Sequence, residues 1–189
     1  MPHAATMRLT MGFLAFAVVG HPVKGQGTDS AKAAHPSNSA SVVLFDVVLA
    51  NDRATPPDPS DSAKVVLATQ KLRESLVNSG VRLVDSAAAA AAQASPEAKE
   101  ASLGRPCDLI AACAQVVGRK VGAQWAVTGT LGKSSNVNWA FSGRLLSVST
   151  GNLALDDSFQ LRGDPMAMIP PGMAAFARRV AKQVNGASQ

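Results

Sequence analysis

Residues 85–149 are the stretch that most constrains the fold of this 189-residue chain. A helical pattern surrounds the two cysteines of the chain, Cys107 and Cys113, and continues to Val121. A buried strand pattern follows in residues 123–131, where apolar side chains recur at every second position. A helix that leads directly into a buried strand predicts a layered fold in which helices pack on a sheet.

Before this stretch, the sequence predicts a strand, a helix and a second strand. Residues 41–50 are apolar and rich in β-branched side chains, as in a strand that is buried on both faces. A helical pattern begins at Asp61 and ends at Ser79, and it places Lys64 towards solvent. Residues 81–85 return to a short strand pattern. This order is typical of an α/β domain.

After this stretch, the sequence predicts two more strands and a final helix. The inward-facing residues of these strands are expected to be Val137, Trp139, Phe141, Leu145, Leu153, Leu155, Phe159 and Leu161. Residues 170–172 (Pro-Pro-Gly) are expected to start the helix, which carries Arg178, Arg179 and Lys182 opposite its apolar stripe. The whole order predicts an α/β (α+β) sandwich. Its mixed sheet of about five strands ends in a C-terminal antiparallel meander and packs against helices.

The first residues have the pattern of a secretory signal peptide. Arg8 precedes an apolar run of about 12 residues that ends at Gly20. This run is shorter than the about 20 apolar residues that span a membrane, although an uncleaved anchor is the alternative. We expect a signal peptide in residues 1–25, cleaved near Gly25, and a flexible linker in residues 26–40. No cysteine follows the run directly, so a lipid-modified N-terminus is not expected.

A single folded domain is expected in residues 41–185, followed by a disordered tail in residues 186–189. Export of the chain places this domain in the periplasm, where thiols are oxidised. Cys107 and Cys113 lie six positions apart, with Asp108 expected to cap the helix that follows, and this spacing favours a disulfide. A redox role is disfavoured, because the spacing is not Cys-x-x-Cys and neither cysteine has a neighbouring His or Lys.

Charge and histidine content count against several classes of function. The formal charge is +5, and without residues 1–27 the chain has 16 basic and 13 acidic residues. This mild excess is spread along the sequence, unlike the basic stripe of a nucleic-acid-binding protein. Removal of the signal peptide leaves His35 as the one histidine, which excludes His-based triads and His-ligated zinc. The sequence therefore predicts no catalytic residue, no cofactor and no metal site.

Four residues are candidates for contact with a ligand or a partner: Asp46, Trp125, Trp139 and Lys133. Asp46 is the one charge in the first predicted strand, although a carboxylate at the rim of a sheet more often bonds to the backbone. A pocket between sheet and helices is expected near Asp46, Trp125 and Trp139. An enzyme would have to assemble Asp46, Asp85, Lys133 and hydroxyl groups across several loops.

The order of these patterns resembles a bacterial periplasmic family that is similar to the N-terminal domain of TolB and to the α/β domain of CsgG. The likeness covers residues 41–184, and its most specific parts are residues 107–113, 122–123, 129–133 and 150–151. It implies an exported α/β domain with a disulfide and a role in binding or assembly. Pore formation is not implied, because the chain lacks the lipid-carrying cysteine and the extra hairpins of CsgG.

The leading hypothesis is a non-catalytic periplasmic module that docks another envelope protein. Docking is expected at an exposed strand edge, formed either by residues 41–50 or by residues 153–161. A periplasmic small-ligand carrier is the alternative hypothesis, and a hydrolase is the third. We expect no nucleic-acid partner and no transmembrane segment in the mature chain, and the sequence leaves the oligomeric state open.

Overall fold

A computed structural model describes residues 40–51, 58–107 and 110–186 of the chain. The predicted signal peptide lies outside these residues, as do the predicted linker up to its last residue and the last three residues of the predicted tail.

The described residues form strands and helices in the order β1 (Ser41–Leu44), β2 (Val48–Asn51), α1 (Pro59–Asn78), β3 (Arg82–Leu83), α2 (Ser86–Gln93), α3 (Pro96–Ser102), α4 (Ala111–Lys120), β4 (Trp125–Lys133), β5 (Asn138–Ser147), β6 (Leu153–Arg162) and α5 (Pro165–Gly186). The strands make one sheet in the order β3-β1-β4-β5-β6, and β2 also pairs with β4. β3 pairs in parallel with β1, and both β1 and β2 pair in parallel with β4. β4, β5 and β6 form the predicted antiparallel meander. The predicted fold class is confirmed.

The first predicted strand is divided into two segments that pair with the same neighbour. Val42 of β1 lies opposite Trp125, and Leu49 of β2 lies opposite Leu131 on the same strand β4. Between the two segments, the N–H of Val47 donates to the Thr69 hydroxyl of α1 at 2.9 Å. The strand is interrupted at this contact, and the described sheet therefore has six strands. β1 is buried on both faces as predicted, whereas β2 is half-buried.

Helices cover the two faces of the sheet to different extents. α1 and α5 pack on one face and form the larger core cluster with the inward side chains of all the long strands. α2, α3 and α4 cover part of the other face, above Val43, Ala126 and Leu146. The outer face of β6 is exposed and mainly polar, with Asp156 and Ser158 at its middle.

Two glycines make room for an aromatic cluster beneath α5. Gly129 of β4 lies directly opposite Gly143 of β5. A Cβ atom at Gly143 would lie 2.5 Å from the ring of Phe176, which is closer than real atoms approach. The ring of Phe141 packs between Phe159 and Phe176, with centroids 5.3 Å away in each case. The missing side chains therefore let α5 approach the sheet closely.

Helix α1 starts earlier than predicted because Asp58 caps it. The Asp58 carboxylate accepts the N–H of Ser60 at 2.7 Å, and the Asp61 carboxylate accepts the N–H of Asp58 at 2.9 Å. This reciprocal arrangement is a capping box, and it places Pro59 at the first helical position. Asp61 is therefore the third residue of the helix, not its start.

The starts of α4 and α5 also differ from the prediction. Ile110 occupies the N-cap of α4 without a side-chain hydrogen bond, so the predicted cap is wrong, and Asp108 itself lies outside the described residues. α5 begins at Pro165, five residues before the predicted Pro-Pro-Gly start, and its two later prolines lie inside the helix. The Asp164 carboxylate accepts the N–H of Met166 at 3.0 Å and stabilises this earlier start.

Two residues predicted to face the core are exposed. Val137 is 67% exposed, because β5 begins one residue later, at Asn138. Leu153 is 52% exposed, because the register between β5 and β6 shifts at Leu145 and Leu146. A register shift of one residue moves a side chain to the other face of a strand, which the alternation in the sequence cannot reveal.

The two cysteines form a disulfide with a Cα–Cα distance of 5.2 Å. Cys113 is fully buried in the smaller core cluster, and its sulfur lies 3.1 Å from the carbonyl oxygen of Ala98 in α3. The bond therefore ties the first turn of α4 to the chain segment that follows α3.

Removal of the disulfide is expected to lower the free energy of unfolding by about 2 kcal/mol, because a short loop restricts the unfolded chain only modestly. Urea denaturation of the oxidised protein and of the Cys107→Ala/Cys113→Ala variant measures this loss. Reductant should destabilise the native protein and leave the variant unchanged. Two thiols that react with an alkylating agent in the native protein would contradict the prediction.

Candidate functional site

The structure brings two of the four candidate residues together. Lys133 ends β4 and pairs with Trp139 across the antiparallel ladder, and its Nζ atom lies 5.6 Å from the centre of the Trp139 ring. Trp125 begins the same strand and is therefore about 26 Å away. Asp46 is exposed between β1 and β2. Trp125 and Trp139 thus lie at opposite ends of β4 and β5.

A buried ion pair forms around Lys133. Its Nζ atom donates to Asp61 Oδ2 at 2.7 Å, and both side chains are almost completely buried, at 1% and 3% exposure. Lys64 Nζ donates to the other oxygen, Asp61 Oδ1, at 3.3 Å. Lys64 also lies over the Trp139 ring, 5.1 Å from its centre. We call Asp61, Lys64, Lys133 and Trp139 the Lys133 cluster.

Local structure explains how these side chains meet. Asp61 and Lys64 lie three positions apart on α1, so they share one side of the helix. The prediction that Lys64 faces solvent is wrong, because the Asp61 carboxylate and the Trp139 ring hold its side chain at 13% exposure. Trp139 is fixed in turn by its indole N–H, which donates to the carbonyl oxygen of Asn136 at 3.3 Å.

Asp61 remains ionised inside the protein. Burial raises the pKa of Asp61, but the hydrogen bonds from Lys133, from the backbone N–H of Asp58 and from Lys64 outweigh this effect and lower it overall. One carboxylate therefore faces two ammonium groups that also contact the electron-rich face of an indole. The Lys133 cluster ties the start of α1 to the end of the β4–β5 hairpin, so its first role is structural.

A groove with two adjoining cavities runs along α1, between this helix and residues 46–49. The two cavities share Val47, Val65 and Val66, and we call the whole the β2 groove. One cavity has a volume of about 570 Å³ and extends to Asp46 and Arg73. The other has a volume of about 450 Å³ and is lined by Val47, Val48, Leu49, Asp58, Asp61, Ser62, Val65 and Val66. Asp46 is the one predicted candidate that lines this groove.

The described residues contain no group of three or more His, Cys, Asp or Glu side chains that could hold a metal ion. None of the described helices combines the length and the apolar character that a membrane crossing requires.

Asp61, Lys64 and the β2 groove are the features that sequence reasoning missed. Lys133 carried one usable signal, because a lysine in a strand that is otherwise apolar needs a partner when it is buried. The sequence contained no sign that this partner is Asp61, which lies 72 positions away.

One family model and several solved structures are similar to this chain. The model of one family, described as a protein of unknown function (DUF2380), matches residues 40–179. No curated protein matches the chain. The lipoprotein GNA1162 from Neisseria meningitidis has a TM-score of 0.50 at 12% identity, over 75% of this chain and 96% of that one. This likeness shows a shared fold.

Two further solved structures are similar at lower scores. The C-terminal domain of LpoB from Salmonella enterica has a TM-score of 0.48 at 19% identity, over 66% of this chain and 84% of that one. TolB from Acinetobacter baumannii has a TM-score of 0.42 at 13% identity, over 80% of this chain and 29% of that one. TolB, named in the sequence resemblance, is thus among the structural neighbours, and the likeness to CsgG stays a prediction.

The Asp61→Asn variant is expected to lose about 3 kcal/mol or more of unfolding free energy, because it leaves Lys133 buried without a counter-ion. Lys133→Met should cost less, since Lys64 still pairs with Asp61. Urea denaturation at neutral pH measures both losses. Lys71→Met, which breaks an exposed pair on the same helix, is the control and should change little. Equal losses in Asp61→Asn and Lys71→Met would rule out a stabilising role for the cluster.

Acid should weaken the protein through Asp61. The pKa of Asp61 is lower in the folded chain than in the unfolded chain, so its stabilising effect is present above the unfolded value of about 3.9. That effect is lost as the pH falls through the folded pKa. Unfolding free energies of the wild type and of Asp61→Asn, measured from pH 7 to pH 3, should therefore converge in acid. A constant difference across this range would contradict the assignment.

Proposed function

We propose that this chain, which belongs to the DUF2380 family of proteins of unknown function, is a non-catalytic module that docks another protein of the bacterial cell envelope. The observation that carries the proposal is the β2 groove, which offers an open, mainly apolar surface next to a strand. Val66 in this groove is 65% exposed. Exposed apolar surface with a polar rim is typical of protein-binding sites.

A location in the periplasm is supported by two features of the sequence. The basic and apolar pattern of residues 1–25 is that of a signal peptide, although these residues lie outside the described part of the chain. The bond between Cys107 and Cys113 suits an oxidising compartment.

A role without catalysis is supported by the use that the fold makes of its charged groups. Lys133, which an enzyme would have needed at an accessible site, is buried against Asp61. Asp156 and Asp157 point to opposite faces of β6, and they pair with Arg144 and Arg179 respectively. These groups hold elements of the fold together.

A small-ligand carrier is the second candidate function. The cavity beside Asp46 has a volume of about 570 Å³, and small-molecule sites measure roughly 300–1,000 Å³. A thermal-shift screen with metabolites and metals separates the two functions. A true ligand at a hundred times its dissociation constant adds about 2.7 kcal/mol of stability.

The docking function is tested by cross-linking in intact cells of the source bacterium. The full chain with a C-terminal tag is purified after cross-linking, and the attached proteins are identified by mass spectrometry. We expect one envelope protein to be enriched over a tag-only control, and the purified pair to bind each other directly. A chain located in the cytoplasm, or a chain that binds a metabolite and enriches no protein, would contradict the proposal.

A further inference from the structure

We propose that the cavity beside Asp46 binds an apolar α-amino acid, whose ammonium group pairs with Asp46 and whose carboxylate pairs with Arg73. The apolar side chain of this ligand lies against Val65 and Val66 of α1. Such a site goes beyond the docking function and does not depend on a protein partner.

The cavity lies at the carboxyl ends of two parallel strands. Asp46 comes two residues after β1, Ser86 comes three residues after β3, and both line the cavity. β1 lies between β3 and β4, so residues 41–44 form no free edge in the described sheet, contrary to one of the two predicted docking edges. Ligands of open sheets with parallel strands bind in the crevice outside the carboxyl ends of the strands. The position of the cavity therefore favours a small-molecule site.

One hydrogen bond fixes the position of Asp46 along α1. The N–H of Val47, the next residue, donates to the Thr69 hydroxyl at 2.9 Å. Arg73 and Val65 lie four positions after and before Thr69, which is about 6 Å along the helix axis in each direction. α1 joins strands that run in the same direction and runs opposite to them, so Asp46 lies on the Arg73 side of this contact. The cavity therefore has a charged end and an apolar end.

The side chains of Asp46 and Arg73 are available to a ligand. Neither forms an ion pair or a side-chain hydrogen bond within the described ranges. A guanidinium group binds a carboxylate through two parallel hydrogen bonds, and a carboxylate binds an ammonium group through charge-assisted ones. Together the two side chains favour a ligand that carries both charges.

Other charged groups near this end of the cavity already have partners. Glu74, which follows Arg73 on α1, pairs with Lys71 at 2.7 Å. Asp85 caps α2 by accepting the N–H of Ala88. The two lysines of the Lys133 cluster bond to its aspartate, and neither lines this cavity. Among the described lining residues, a ligand therefore meets one acidic and one basic side chain.

The apolar end of the cavity determines the rest of the ligand. Val66 is 65% exposed, and a ligand that covers it removes apolar surface from water. The volume of about 570 Å³ is within the range of roughly 300–1,000 Å³ that is typical of small-molecule sites. Leucine, isoleucine, methionine and phenylalanine, as free amino acids, combine the two adjacent charges with an apolar side chain of suitable length. They are therefore the expected ligands.

The test is isothermal titration calorimetry of the purified full chain with L-leucine. Three related compounds each lack one feature of the ligand: L-leucinamide lacks the carboxylate, N-acetyl-L-leucine lacks the ammonium group, and L-serine lacks the apolar side chain. We expect leucine to bind and each of the three to bind at least tenfold more weakly, which corresponds to about 1.4 kcal/mol.

Two variants connect the ligand groups to the residues. Arg73→Gln should weaken leucine binding at least tenfold and leave leucinamide binding unchanged, because both changes remove the same ion pair. Asp46→Asn should weaken leucine binding likewise and leave N-acetyl-leucine binding unchanged. Arg178→Gln, which changes an exposed arginine of α5 outside the cavity, is the matched control and should bind leucine like the wild type. Equal unfolding temperatures without ligand show that the variants remain folded.

Three results would overturn the inference. The first is the absence of binding for all four apolar amino acids. The second is equal affinity for leucine and serine, and the third is an unchanged affinity for leucine in both Arg73→Gln and Asp46→Asn. These results leave the docking function in place, because the titration uses no partner. Failure of the cross-linking experiment, in turn, leaves the amino-acid site in place.

Discussion

The buried pair of Lys133 and Asp61 is the interaction on which the rest of the arrangement depends. Removal of two charges from water costs several kcal/mol for each ion, and here the cost is offset by short hydrogen bonds, by Lys64 and by the face of Trp139. The pair joins the first turn of α1 to the last residue of β4. Because β2 pairs with that same end of β4, this contact and the Thr69–Val47 hydrogen bond both connect α1 to the strands beside the groove.

The strands β6 and β2 differ in length and in charge. β6 is long and exposed, and it carries charged side chains on both of its faces, tied to β5 and α5. β2 is short, uncharged and adjacent to an apolar groove. This contrast is a property of the chain itself and does not depend on any likeness to other proteins.

The fold and the function rest on different observations. The same α/β architecture occurs in a meningococcal lipoprotein at 12% identity, which shows how little of the sequence the fold requires. A shared fold does not imply a shared function, because function depends on particular side chains at particular sites. The proposed docking therefore depends on the residues of the β2 groove, and the family match defines only where this chain belongs.

The sequence by itself determined the order of the elements, the fold class and most inward faces, because hydrophobic periodicity is a local property of each element. It also singled out Lys133 and Trp139. Only the tertiary structure decided that Lys133 meets Asp61, that the first strand breaks where Val47 contacts Thr69, and that the two residues of β3 pair with β1. These outcomes depend on how elements far apart in the chain are registered and packed, and periodicity contains no information about that.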